Sequence, residues 1–250
     1  MEPACRPGTA AAAAAIIAVA IALAVRGLNR TAISTGALVP DAPLIGPRVR
    51  AWYRATLAPI EDRLVVWGVH PDALTWAQLG ASVLAGAAFA TGAVFLGGWF
   101  TILAGTLDIL DGGVARRRGV ASARGALVDS VIDRYAEFVT FFGLGLLFRG
   151  GWMLAVVAVA CFTSFMVSYV RARAEGLGLT LAQGRAQRPE RYVLLGFGAW
   201  LSGLVTHLAC APGAHAILAA ALCLLAVLSG WTAVQRARHA VVALVARGTP

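Results

Sequence analysis

Six apolar stretches of about 20 residues, joined by short loops, constrain this chain more than any other feature. They run approximately over 73–94, 98–116, 124–148, 152–174, 190–208 and 214–234. A helix of about 20 apolar residues spans a bilayer core. In lipid only helices and closed barrels satisfy their own backbone. These stretches are too long, and alternate too little, for barrel strands. The pattern therefore predicts an all-α, polytopic membrane protein with a six-transmembrane-helix core. Composition agrees: 59% of the 250 residues are hydrophobic and 13% charged, against about 25% charged in soluble domains.

The formal net charge is +9, and every basic residue is Arg. Nucleic acid is not the expected partner, because the arginines cluster in loops between apolar runs. The segments near 95–98 and 208–214 carry none, and that near 149–151 only Arg149. The alternate segments carry Arg116, Arg117, Arg118 and Arg124, then Arg171, Arg173, Arg185, Arg188 and Arg191, then Arg236, Arg238 and Arg247. Positive charge marks the cytoplasmic side and favours anionic lipid. The expected location is the inner (plasma) membrane, multi-pass. The cysteines Cys5, Cys161, Cys210 and Cys223 show no metal or redox spacing.

Four regions follow. Residues 1–47 hold an extra hydrophobic helix at 9–25, read as an uncleaved anchor, and a Gly/Pro-rich linker. Residues 48–70 mix Arg with Trp, Tyr, Leu and Val, as in an amphipathic helix lying in the membrane interface. Residues 71–235 form the membrane domain, and 236–250 a C-terminal tail. Trp52, Trp67, Trp76 and Trp231 read as interfacial belt residues.

Within this apolar chain, segment 105–137 holds Asp108, Asp111, Asp129, Asp133 and Glu137. A charge at the centre of a membrane helix costs about 2.5–3.5 kcal/mol, so four lipid-facing aspartates would cost roughly 10–14 kcal/mol. They must face the bundle interior. Asp108 and Asp111 are i, i+3 and Asp129 and Asp133 i, i+4, so each pair shares a helix face. The short loop between the two helices makes them antiparallel neighbours, and the carboxylates can converge. All-oxygen coordination suits Mg²⁺, Mn²⁺ or Ca²⁺; without His or Cys it does not suit zinc. Gly112, Gly113 and Gly125 leave room for a ligand or an opposing backbone. Arg116, one turn beyond Gly112, can pair with a phosphate. These residues read as a metal–diphosphate site at the cytoplasmic edge of the membrane.

The run Asp108-x2-Asp111-Gly112-x2-Ala115-Arg116-x8-Gly125-x3-Asp129-x3-Asp133 resembles the CDP-alcohol phosphatidyltransferase signature at every fixed position. The resemblance covers approximately residues 48–235. It implies transfer of a phosphatidyl group from CDP-diacylglycerol to the hydroxyl of a small polar alcohol, with release of CMP. It also implies two divalent metals, Mg²⁺ or Mn²⁺, on Asp108, Asp111, Asp129 and Asp133. Gly112, Ala115, Arg116 and Gly125 would contact the nucleotide, and Asp133 would serve as general base. A homodimer is implied as well. Family members often carry Pro-Asn before the first core helix; this chain has His70-Pro71-Asp72.

Ser168-Tyr169-Val170-Arg171 and Gln187-Arg188-Pro189-Glu190-Arg191 resemble the branch that uses inositol phosphate, although that branch often has Lys in place of Arg171. The resemblance makes Arg134, Ser168, Arg171, Arg188 and Arg191 the acceptor-binding candidates, since Arg forks hold phosphate bidentately. Arg173 and Arg185 read instead as positive-inside anchors. Glycerol 3-phosphate or serine is the alternative acceptor. Intramembrane acids also mark ion pathways, so a transporter is the competing class, although no repeat or broken helix is evident.

Overall fold

A computed structural model describes residues 45–179, 187–208 and 215–248. The expected hydrophobic helix at 9–25 lies outside the described residues. The described part is all-helical: α1 (Pro47–Val66), α2 (Pro71–Ala90), α3 (Val94–Arg117), α4 (Ala123–Leu147), α5 (Met153–Gly176), α6 (Arg188–Leu208) and α7 (Ala216–Ala246). The last six coincide with the six apolar stretches. One boundary differs: the segment from Arg236, expected as a tail, continues α7 to Ala246. It holds no helix breaker, and Ser229, Thr232 and Arg236 extend one buried stripe of the helix.

Among the described residues four helices, α2, α3, α5 and α7, are long and apolar enough to cross a membrane. Of the helices outside this set, α4 carries Asp129, Asp133, Arg134 and Glu137, and α6 carries Arg188, Glu190 and Arg191. The chain is a helical membrane protein. Side chains on its flanks, such as Phe138, Phe142, Phe162 and Val227, are exposed, as expected where lipid is the solvent.

α2 packs on α3 and α4, α3 on α6, and α5 and α6 on α7. Small residues set the crossings. A Cβ on Gly143 would run into the backbone of Gly86, and one on Gly98 into the backbone of Trp200. In lipid, such close backbone approach supplies the van der Waals contact that holds helices together. Beyond it lies an apolar core including Phe89, Phe141, Leu144, Leu195, Leu218 and Leu222. α1 docks through Leu57 onto Leu74, Leu110 and Val114 of α2 and α3.

The reversal between α3 and α4 aligns the two halves of the aspartate run. Gly119 takes the left-handed conformation (φ 66°) just after the helix end, and the Val120 N–H returns to the Ala115 carbonyl at 3.1 Å. This is a Schellman-type stop. Ser122 then caps α4, its Oγ accepting from the Gly125 N–H at 3.1 Å.

Gly143→Leu should force α2 and α4 apart. Overpacking of this kind costs about 1–3 kcal/mol. The check is the melting temperature of purified protein in detergent. It should fall, and an unchanged value would contradict the close α2–α4 crossing.

Candidate active site

The carboxylates gather where α2, α3, α4 and α6 meet. One oxygen each from Asp108, Asp129 and Asp133 lies within 4.8 Å of the others. Asp133 is almost fully buried, at 1% exposure. Asp111, also buried, accepts from Thr75 Oγ1 at 2.8 Å and from the Gly112 N–H at 2.5 Å. Three of the four predicted aspartates thus form one group, and the fourth is held beside α2.

Residues of α2 and α6 orient the acids. Gln78, fully buried, aims Nε2 at Asp133 Oδ1 (2.8 Å), Tyr192 Oη (3.2 Å) and Asp108 Oδ1 (3.4 Å). Arg188 donates to Asp108 Oδ1 at 3.1 Å and also to Asp133. Arg134 stands 3.6 Å from Asp133 Oδ2. Arg191 donates to Glu137 Oε1 at 3.0 Å.

A hard divalent cation fits these residues. Three carboxylates converge with no nitrogen or sulfur ligand among them, which is the donor set such ions take. Asp129 Oδ1 is buried with no hydrogen-bond partner among the described residues. A buried carboxylate oxygen left unpaired is costly, and a cation would satisfy it.

The nucleotide candidates lie toward the end of α3 and the start of α4. Arg116 folds back over Gly112, where a Cβ would sit 3.1 Å from its Nη1. Its two neighbours are engaged elsewhere: Arg117 with Glu61 (2.6 Å) and Asp62, Arg118 with the Val69 carbonyl (2.8 Å). Among the described residues Arg116 has no such partner. Ala115 is half-buried on the last turn of α3, and Gly125 is in the first turn of α4.

Beside the aspartates opens a cavity of about 370 Å³ lined by Asp129, Asp133, Arg134, Ser168, Arg171, Glu175, Gln187, Arg188, Arg191 and Arg236, among others. All five acceptor candidates therefore share one cavity wall with two of the carboxylates. Arg171 is exposed and pairs with Glu175 at 2.8 Å. Arg173 is exposed and is not among the lining residues, in keeping with an anchor. Arg185 lies outside the described residues.

Four residues of the site, Thr75, Gln78, Tyr192 and Arg236, were not singled out from the sequence. Thr75 and Gln78 begin, with Ser82, an i, i+3, i+7 polar stripe on a mainly apolar helix, a signal that was available. Arg236 continues the stripe of Ser229 and Thr232 on α7, and its Nη1 donates to the Val167 carbonyl at 2.8 Å. Tyr192 had no sequence signal of its own.

The CDP-alcohol phosphatidyltransferase family model matches residues 68–246. The chain is 36% identical over 201 residues to a phosphatidylinositol phosphate synthase of Streptomyces avermitilis, covering 77% of this chain and 81% of that protein. It is 35% identical over 184 residues to an archaetidylinositol phosphate synthase of Methanothermobacter thermautotrophicus, covering 73% and 87% respectively. The crystal structure of Mycobacterium tuberculosis phosphatidylinositol phosphate synthase with CDP-DAG bound superposes with a TM-score of 0.62 at 32% identity, covering 73% of this chain and 92% of that one. The same enzyme in complex with manganese and citrate gives 0.63 at 32% identity, covering 73% and 87%.

Fold and site together define a membrane phosphatidyltransferase that uses a divalent metal. The chain belongs to the CDP-alcohol phosphatidyltransferase family.

Gln78→Leu would remove the donor that orients Asp108 and Asp133. Loss of such an outer partner typically costs 10–100-fold in metal affinity or activity. Mn²⁺ titration of the purified variant, followed by the spin signal of free Mn²⁺, should show weakening of about that size. Wild-type affinity would remove Gln78 from the site's support.

Proposed function

We propose that this enzyme transfers the phosphatidyl group of CDP-diacylglycerol to inositol phosphate and releases CMP. The observation that carries this reading is the cavity itself. It brings Asp129 and Asp133 together with Arg134, Arg171, Arg188, Arg191 and Arg236. Free inositol carries no charge, and serine only one carboxylate beside its own ammonium, so neither calls for such a concentration of guanidinium groups; an alcohol bearing a phosphate does. The names of the relatives supply independent support, since those described above are synthases of phosphatidylinositol phosphate or archaetidylinositol phosphate.

In this reading Arg116 and the open face at Gly112 hold the diphosphate of the donor, with Ala115 and Gly125 at its border. Asp108, Asp111, Asp129 and Asp133 hold two ions, Mg²⁺ or Mn²⁺. When bound, the metals neutralise the diphosphate and stabilise the departing CMP. Arg188, Arg191 and Arg134, with Ser168 and Arg171, hold the acceptor phosphate and so aim its hydroxyl at the phosphorus. Asp133 takes the hydroxyl proton as the new O–P bond forms and the bond to CMP breaks. Gln78 keeps the Asp133 carboxylate in place for that transfer.

Six helices cross the membrane in this reading. The charges of α4 and α6 are gathered in their first turns, at the site, and the remaining turns from Phe138 and from Tyr192 are mainly apolar. Arg116, Arg124, Arg171, Arg188 and Arg236 all stand at that same end, which the positive-inside rule assigns to the cytoplasm. The active site then faces the cytoplasm, at the inner membrane. A transporter reading has no comparable support, because the acids face arginines and a cavity at one end of the bundle.

Purified protein incubated with CDP-diacylglycerol, Mg²⁺ and inositol phosphate should release CMP. Release with serine or glycerol 3-phosphate, and none with inositol phosphate, would overturn the choice of acceptor. Asp133→Asn should lower kcat by about 10²–10⁴-fold, the usual worth of a positioned base, while CDP-diacylglycerol still binds. Full turnover in that variant would exclude Asp133 as the base.

A further inference from the structure

The family match begins at residue 68, so α1 lies outside it, yet α1 touches both sides of the site. Near its end Glu61 fills the space a Cβ on Gly113 would take and holds Arg117 at 2.6 Å. Near its start Arg50 reaches the first turn of α6. Its Nη1 donates to Gln187 Oε1 at 2.9 Å, and its Nη2 to Glu190. Gln187 and Glu190 bracket Arg188, which stands between Asp108 and Asp133 and also lines the cavity.

We propose that Arg50 is a positioning residue, fixing the first turn of α6 and thereby the place of the Arg188 guanidinium in the acceptor cavity. The inference rests on the reading of that cavity as a phosphate site. Glu190 is buried, with a side chain 3% exposed. Without a cationic partner its carboxylate would be an uncompensated buried charge, relieved by taking up a proton or by movement of the first turn of α6, and either loosens the grip on that turn. The pairing of Arg188 with the aspartates does not prevent that movement, because a rotamer-rich side chain can keep a contact to them from a shifted backbone, but only with its guanidinium tilted away from its present orientation in the cavity. The planar fork of Arg50 does, because gripping Gln187 and Glu190 at once sets the rotation of the turn as well as its distance. A lysine keeps the charge opposite Glu190 but not the fork.

The test uses the full chain in detergent and inorganic phosphate as the probe, read by thermal unfolding. Phosphate should raise the melting temperature of the wild type. Small misplacements of a binding group cost one to two orders of magnitude, so Arg50→Met should raise the half-maximal phosphate concentration by about tenfold. Arg50→Lys should fall between the two. In turnover, KM for the acceptor should rise by a similar factor while KM for CDP-diacylglycerol stays within about twofold. A half-maximal phosphate concentration in Arg50→Met equal to wild type overturns the proposal, even if the ligand-free protein melts lower, since that is what a purely structural role predicts. A parallel rise in KM for both substrates overturns it too. If phosphate fails to stabilise the wild type, the phosphate reading of the cavity falls, and this inference with it.

Discussion

Charge placed inside an apolar bundle has to be compensated inside that bundle, and the rest of this structure depends on how that is done. Asp108, Asp129 and Asp133 come from α3 and α4, and their counter-charges come from α6 and α4 itself. Arg188 answers Asp108 and Asp133, Arg134 lies beside Asp133, and Arg191 answers Glu137. Removing one partner of such a buried pair is far more damaging than never having had the pair. The network therefore fixes which faces of three helices look inward, and the apolar core and the glycine crossings follow from that choice.

The same compensation divides the site into two halves with Asp133 between them. On one side lie the carboxylates, Gly112 and Arg116, a setting for a cation and a diphosphate. On the other lies a cavity walled largely by arginine, a setting for an anion. Asp133 borders the cavity, belongs to the carboxylate group and is held by Gln78. The role of general base proposed for Asp133, taking a proton from one substrate while the other is polarised, suits that junction. The division is built from elements far apart in sequence: Gln78, Asp133 and Arg188 are drawn from three helices.

Much of this was legible in the sequence, because two of its signals are local. Helix length and apolar character gave six of the seven described helices, with boundaries within a few residues except the end of α7, which runs on to Ala246. The i, i+3 and i, i+4 spacings placed each aspartate pair on one face, and the short loop with Gly119 and Ser122 made the two helices neighbours. What escaped was the contribution of residues whose meaning depends on what lies opposite. The spacing of Asp111 to Asp108 placed both on one face, but it did not show that Thr75 of α2 would donate to the Asp111 carboxylate. Arg236 looked like one more positive-inside arginine until α7 ran on past it and buried it. Thr75 and Gln78 carried a readable polar stripe, but a stripe on one helix does not say which groups it faces. Periodicity reveals the faces of helices; only packing reveals their partners.

In the proposed reading, the arginines also explain why a phosphate-bearing acceptor suits this cavity. A positive cavity among membrane helices is expensive to assemble, since each guanidinium loses hydration. Here much of that loss is offset before any substrate arrives, through Asp108, Asp133, Glu137 and the Val167 carbonyl, each bound to an arginine lining the cavity. An arriving phosphate meets donors that are already dehydrated, oriented and held on rigid helices, so little reorganisation opposes its binding. A neutral alcohol would gain little from such a wall and would leave its donors facing no anion. In the proposed reading, the balance of charge that lets the bundle exist in the membrane is therefore also what selects the chemistry of its acceptor.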